Sequence, residues 1–469
     1  MARVKSQQAA IIKRWPQGID LLSLHAINPD RYPYLLASTT QHSADSIRDT
    51  STDRYDILFA FPQARLSLGA DGLTSDTLQT TGKGFLSALD DWWQNAAETN
   101  LSNQSDLPFT GGWFVYLGYE LAAEVEPKLR LPLDVDSAIP IAMAARIPIA
   151  IINDRHAQQT WLVCEAEYES LLEAMQLDIE LLDAESAQLD VQQIALQEDA
   201  PEKFIQGVAR VKDYIREGDV FQVNLSRCWQ TRTQNSISAN SIFHQLSRAN
   251  PAPYAGLVHF EHAAIMSSSP ERLVRVKQHW VETRPIAGTR PRGNNSETDK
   301  QNLQELIGHP KERAEHVMLI DLERNDLGRI CKPGTVEVNE LMVLESYAHV
   351  HHIVSNIRGE LKPGSTPGDV IKAVFPGGTI TGCPKVRCME IIAELEQQAR
   401  GPYTGSIGYL NHNGDMDLNI LIRTIVLDKD RLSFRAGAGL VTDSVAEHEL
   451  KETRAKAKGM LLSMQDTVE

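Results

Sequence analysis

Two pairs of glutamates, each spaced by three, are the residues of this chain whose types and positions most directly imply chemistry. Glu312 and Glu315 lie in KERAEHVMLIDLERNDLGR (311–329), and Glu449 and Glu452 in VAEHELKETRAKAKGM (445–460), with Lys456 one turn further along. On a helix, residues i and i+3 share a face, so each pair either repels across solvent or is neutralised by a shared cation. Hard carboxylate oxygens that leave room for water suit Mg²⁺, whereas a solvated helix face is the other reading of any single ExxE.

Arg423 interrupts the apolar run MDLNILIRTIVL (416–427), read as one strand. A buried guanidinium needs a partner, either an anionic ligand or an internal carboxylate. Just beyond it, RLSFRAGAGLVTDS (431–444) reads as a strand running into a turn at Gly437-Ala438-Gly439. Missing side chains there let backbone N–H groups approach a carboxylate or phosphate, or simply mark a tight packing point. Among His349, His351 and His352, strand geometry turns the first two one way and the third the other, which disfavours zinc. Cys383 and Cys388 lack a metal-ligand spacing.

These residues need elements to hold them. The 311–329 and 445–460 segments are predicted helices, and Phe204, Val208, Val211 and Ile215 recur at helical spacing up to a stop at Gly218. In Phe221-Gln222-Val223-Asn224-Leu225 a period of two sets Phe221, Val223 and Leu225 on one face and Gln222 and Asn224 on the other. RYDILFAFP (54–62) and LPFTGGWFVYLGYE (107–120) read as sheet. A polar stretch with Pro201 follows an acidic helical segment, so we divide the chain into an amino-terminal region, 1–195, and a carboxyl-terminal region, 196–469, with a soft boundary that allows one shared core.

Composition bounds the function. With 46 basic and 62 acidic residues the net charge is −16, and 42% of residues are apolar, as in an ordinary globular enzyme rather than a nucleic-acid or anionic-membrane binder. Five cysteines form no regular framework, and the amino terminus lacks the apolar core of a signal peptide, so a reducing cytoplasm is expected. The apolar stretch 139–152 is broken by Pro140, Arg146 and Pro148, which excludes it as a membrane span.

SPERL (269–273), RPIAGTRPRG (284–293), the 311–329 segment, HHIVS (351–355), FPGGTITGCPK (375–385), YTGSIGYL (403–410), IRT (422–424), AGAG (436–439) and ELKETRAK (449–456) occur in that order. Together they make the chain similar to the chorismate-utilising enzymes. The resemblance implies an α+β fold of two facing, mainly antiparallel sheets surrounded by helices, with chorismate as substrate and Mg²⁺ as cofactor. It further implies that Glu315 and Glu452 ligate the metal, with Glu312 and Glu449 in support through water. Gly288, Thr289, Tyr403, Arg423, Gly437, Ala438, Gly439 and Lys456 match substrate contacts. Glu271 matches the general acid for the departing C4 hydroxyl, and His352 a histidine beside it.

Members of this family that add water at C2 carry a lysine where this chain has Gln222. An amide is no base, so the resemblance points to ammonia as nucleophile, delivered by a separate glutamine amidotransferase subunit. FQVNLS (221–226), FPGGTITG (375–382) and RYDILFAFP resemble the aminodeoxychorismate-forming branch, which supplies para-aminobenzoate for folate. Ala287 resembles the anthranilate-forming branch, because the aminodeoxychorismate enzymes carry there a lysine proposed to attack C2. Three longer motifs against one residue favour aminodeoxychorismate, with anthranilate as the alternative. An inactive ligand-sensing or assembly subunit is a third reading, opposed by the joint retention of Glu271, Glu315, Arg423, Glu452 and Lys456. The anthranilate enzymes bind tryptophan through LLES-like and PYM-like motifs. Here these read LLAS (35–38) and PYA (253–255): Ser38, Pro253 and Tyr254 leave room for a tryptophan pocket, while Ala255 in place of Met speaks against regulation, and a merely structural pocket is the alternative.

Overall fold

The computed structural model describes residues 10–40, 53–78, 82–97, 106–182, 194–233, 237–293, 295–308, 310–346 and 350–465. The side chains of residues 287, 291, 296, 310 and 311 lie outside that description, as does His349. Among the described residues, two antiparallel sheets carry the chain. Across the first run Ile11–Trp15, Gln159–Cys164, Ile149–Asp154, Tyr55–Ala60, Tyr34–Ala37, Tyr254–Phe260, Ala263–Ser269, Thr424–Asp428, Arg431–Leu440, Gln222–Arg232 and Gln197–Glu198, with Gly382–Cys383 beside Gln222. Across the second run Ile286–Pro291, Val350–Glu360, Trp280–Thr283, Arg272–Lys277, Met416–Asn419, Ser406–Asn411, Gly112–Leu117, Ala142–Ile147, Arg65–Gly69 and Gly72–Ser75, with Glu337–Ser346 on Val350–Glu360. This is the expected α+β fold. Strands from both sides of residue 195 pair in each sheet, as at Leu36 with Gly256 and Val115 with Gly408.

Alternation along the strands makes the layers. In Tyr55–Ala60, Ile57 and Phe59 face the second sheet, where Phe114, Tyr116, Met143 and Ile407 meet them, while Leu58 and Ala60 face helices on the other side. Burial on both faces explains the continuous apolar run ILFA. Tyr34 stacks on Phe114 across the interlayer, with ring centroids 4.1 Å apart. Helices Ser170–Leu182, Ala239–Ala249 and Ala446–Leu462 cover the first sheet, and Phe85–Ala97, Pro310–Ile330 and Pro367–Val374 the second. None of the described helices is long and apolar enough to cross a membrane.

Helix Pro201–Glu217 ends at Gly218, whose φ of 84° closes the cap. Phe204, Val208 and Val211 pack on Val223 and Leu225 as the two periods require. Phe221 departs from expectation: it precedes the first ladder pair and is 66% exposed, so the period of two does not yet govern it.

The reading of 416–427 as one strand is also corrected. Met416–Asn419 belongs to the second sheet and Thr424–Asp428 to the first, and residues 420–423 carry the chain across, with Arg423 in the left-handed region at φ 53°. Beside this crossover runs another, because Ala263–Ser269 lies in the first sheet and Arg272–Lys277 in the second. Backbone hydrogen bonds lace the two together: Ile420 N–H donates to the Glu271 carbonyl (3.0 Å) and Ser268 N–H to the Arg423 carbonyl (3.1 Å). The Ser269 hydroxyl donates to the Ile420 carbonyl at 2.5 Å.

Candidate functional site

The paired crossovers place Glu271 and Arg423 at the seam between the sheets. Glu271 is buried, and loss of solvent pushes its carboxyl up to about 7, against the opposing pull of Thr379, the Ile286 N–H and Lys456. A carboxyl so placed keeps its proton near neutrality. Arg423 lies half-buried in the same seam, where partial loss of solvent pulls its pKa below the usual guanidinium value against the fields of Tyr403 and Glu452. Its guanidinium donates to the Lys456 carbonyl (3.1 Å), and among the described residues it makes no ion pair with a carboxylate. Of the two partners the sequence allows, the described residues do not supply the internal salt bridge. Lys456 Nζ donates to the Gly437 carbonyl (3.1 Å) and pairs with Glu452 one turn back at 2.8 Å.

Gly437, Ala438 and Gly439 correct a further expectation. They form no turn but lie within strand Arg431–Leu440, paired with Ser226, Leu225 and Asn224. Alternation divides them: the Ala438 methyl packs in the apolar cluster with Val223, Leu225 and Leu440, while the glycines face the site. A Cβ at Gly437 would fall 2.6 Å from Asn224 Oδ1 and 2.8 Å from the Tyr403 hydroxyl, and one at Gly439 would overlap Gln222 Nε2. Glycine is needed for close approach rather than for a left-handed backbone.

Gln222 Nε2 donates to Glu315 Oε1 at 2.6 Å, tying the first sheet to helix Pro310–Ile330. One turn earlier Glu312 pairs with Arg290 at 2.7 Å. Gly288, at φ 76°, passes so close that a Cβ would fall 2.5 Å from Glu312 Oε2. Its neighbour Thr289 meets His352 Nδ1 at 2.8 Å. Burial, then the nearby Arg423, pull His352 down to about 4, so the ring is neutral at physiological pH. His351 turns the other way, towards Ser346 and Asp299, as strand alternation predicts.

The donor chemistry of Glu312, Glu315, Glu449 and Glu452 fits a hard cation, since all four offer carboxylate oxygens, and the missing side chain at Gly288 leaves room for the Glu312 carboxylate. Among the described residues no three His, Cys, Asp or Glu side chains converge into a metal-holding group. A cation here would take further ligands from water and substrate, as Mg²⁺ commonly does.

Pro253 and Tyr254 line a separate cavity of about 320 Å³ between the sheets, together with Leu36, Tyr55, Ile407 and Asn419. Ser38 does not line it: its buried hydroxyl meets Thr40 at 2.9 Å, and its N–H donates to Asp56.

Sequence reasoning missed three contributors. Thr379 of the FPGGT loop faces Glu271. Asn224 was placed on the correct face but given no role. Glu120, from the amino-terminal region, accepts from the Arg400 N–H (2.7 Å) and the Gly401 N–H, holding the loop that carries Tyr403. Its signal was an acidic residue closing an otherwise aromatic, buried run, LGYE.

The profile of the family described as chorismate binding enzyme matches residues 52–462. Aminodeoxychorismate synthase component 1 of Bacillus subtilis is 41% identical over 426 residues, covering 87% of this chain and 88% of that one. An anthranilate synthase component I-like protein of Synechocystis is 42% identical over 359 residues, covering 76% and 74%. In fold, the crystal structure of anthranilate synthase component I from Streptococcus pneumoniae superposes with a TM-score of 0.78 at 31% identity, covering 96% of this chain and all of that one.

Proposed function

From the premise that the chain belongs to the chorismate-binding enzymes, we propose that it aminates chorismate, forming 4-amino-4-deoxychorismate from ammonia. The observation that carries the amination reading is Gln222, an amide donating to Glu315, at the position where the resemblance gives the water-adding members a lysine. It accepts no proton, and ammonia attacks through its own lone pair without prior deprotonation.

In this reading Glu271 gives its proton to the departing C4 hydroxyl, which its burial at about 7 allows near neutral pH. Arg423, Lys456 and Tyr403 grip the substrate carboxylates, which give the half-buried Arg423 guanidinium the anionic partner that the described residues do not supply. Neutral His352 orients Thr289 without adding charge. Mg²⁺, held by Glu315 and Glu452 with Glu312 and Glu449 behind them, would neutralise the ring carboxylate.

Asn224 in FQVNLS and the FPGGTITG loop favour the aminodeoxychorismate product. The second reading, anthranilate, rests on Ala287, whose side chain lies outside the described residues. The numbered component in the relatives' names supports a second subunit, which we assign as a glutamine amidotransferase. The test is incubation with chorismate, Mg²⁺ and ammonium salt, with and without an added aminodeoxychorismate lyase. Para-aminobenzoate only with the lyase is expected. Anthranilate without it would overturn the choice of product, and no aminated product would overturn the amination reading.

A further inference from the structure

Gln222 and Asn224 sit two residues apart on one face of strand Gln222–Arg232, and their side-chain oxygens share an unusual state. Both Gln222 Oε1 and Asn224 Oδ1 are buried, and neither accepts a hydrogen bond among the described residues. The amide orientations follow from the partners of the nitrogens. Gln222 Nε2 must face the Glu315 carboxylate at 2.6 Å, because only an N–H can donate to it. Asn224 Nδ2 faces the Thr379 carbonyl at 3.5 Å for the same reason. Both oxygens are thereby turned away from their partners. A buried acceptor without a donor carries the full desolvation penalty, and two such acceptors on one face call for a shared donor.

Gly437 leaves room beside Asn224 Oδ1, where an added Cβ would fall 2.6 Å away, and Gly439 leaves room for the Gln222 amide, whose Nε2 an added Cβ would overlap. We infer that Gln222 and Asn224 hold the incoming ammonia, each side-chain oxygen accepting one of its N–H groups. This rests on the amination reading above. Ammonia has three donors and one lone pair, so two acceptors fix its orientation and leave the lone pair outward for attack. The new bond forms from that lone pair as the substrate hydroxyl departs with the Glu271 proton. Water held by the same oxygens would gain nothing, since neither amide can remove its proton.

The experiment measures initial rates with ammonium chloride as the nitrogen source, at fixed pH and with Mg²⁺. Asn224→Val is expected to raise the KM for ammonium about tenfold, the effect of one lost hydrogen bond to a ligand, with the KM for chorismate held within about threefold. Asn224→Asp, which restores an acceptor oxygen, should bring the ammonium KM back to within about threefold of the parent. An unchanged ammonium KM in Asn224→Val overturns the inference, as does a chorismate KM that rises in step, because Asn224 would then be serving the substrate. If Asn224→Val fails to fold, Asn224→Ala decides by the same ratio of constants. A parent chain that makes no aminated product brings down the amination reading and this inference together, whereas a parent that aminates beside an unaffected variant brings down the inference alone.

Discussion

Replacing Glu271 with glutamine separates what the site needs from what the fold would prefer. The carboxyl is buried at the seam, and its pKa rises from 4.5 to about 7 in the folded chain. Between these values the unfolded chain releases the proton while the folded chain retains it, so the folded state binds more protons and stability falls as pH rises. The loss is absent below 4.5, grows through the interval and is complete above about 7. At about 1.4 kcal/mol per pH unit it amounts to roughly 3 kcal/mol. Glu271→Gln keeps the shape and removes the ionisation. Urea unfolding should therefore find the variant about 3 kcal/mol more stable than the parent at pH 8 and equal to it at pH 4. Turnover should fall by about 10²- to 10⁴-fold, the usual contribution of a general acid. A variant no more stable at pH 8 than the parent would refute the burial argument, and one that keeps its turnover would remove Glu271 from the chemistry.

The same carboxyl sets a pH limit on the parent: at constant free ammonia, kcat should decline above about pH 7 as Glu271 ionises, read from a pH–rate profile. Glu396 has the opposite sign, because Arg400 and Arg435, at 2.7 and 2.9 Å, outweigh its burial and pull it down to about 2. Its contribution is present above 4.5 and lost as pH falls through about 2, and Glu396→Gln should cost about 3–5 kcal/mol in urea unfolding at pH 7 by leaving two buried cations uncompensated. Gly439→Ala should displace Gln222 from Glu315 and destabilise by about 1–3 kcal/mol, with turnover falling further than melting temperature implies. On the proposed reading, Glu452→Ala should abolish Mg²⁺-dependent turnover while leaving capture of the proposed amidotransferase subunit intact in a pull-down.

The helices were legible because their signals are local. Phe204, Val208 and Val211 recur every three or four residues and Gly218 closes the turn, so nothing distant has to be known. The face bearing Gln222 and Asn224 was equally legible from a period of two. Phe221 failed because the same period says nothing of where pairing begins. The run 416–427 failed for a deeper reason: apolar residues buried within one sheet and apolar residues passing between two sheets look alike in sequence, since both are shielded from water. Only the partners of Asn419 and Thr424, which belong to different sheets, reveal the crossover.

That crossover explains why Arg423 and Glu271 share a site although 152 positions separate them in the chain. Each sits where a strand leaves one sheet for the other, and at such a point the backbone leaves its ladder, freeing side chains to point along the seam rather than into a packed face. The two crossovers are adjacent because the strands flanking them pair on both sides, Ser267 with Thr424 in the first sheet and Arg272 with Asn419 in the second. A cation at one crossover and a proton-holding acid at the other are thereby held on adjacent backbone segments, and the register of four strands fixes how far apart those segments lie. The chemistry of the site is thus a consequence of how the chain passes between its sheets. Mutations that slip either register should cost folding together with turnover, because a one-residue slip turns every side chain of the ladder to the opposite face while it moves Glu271 and Arg423 from their places.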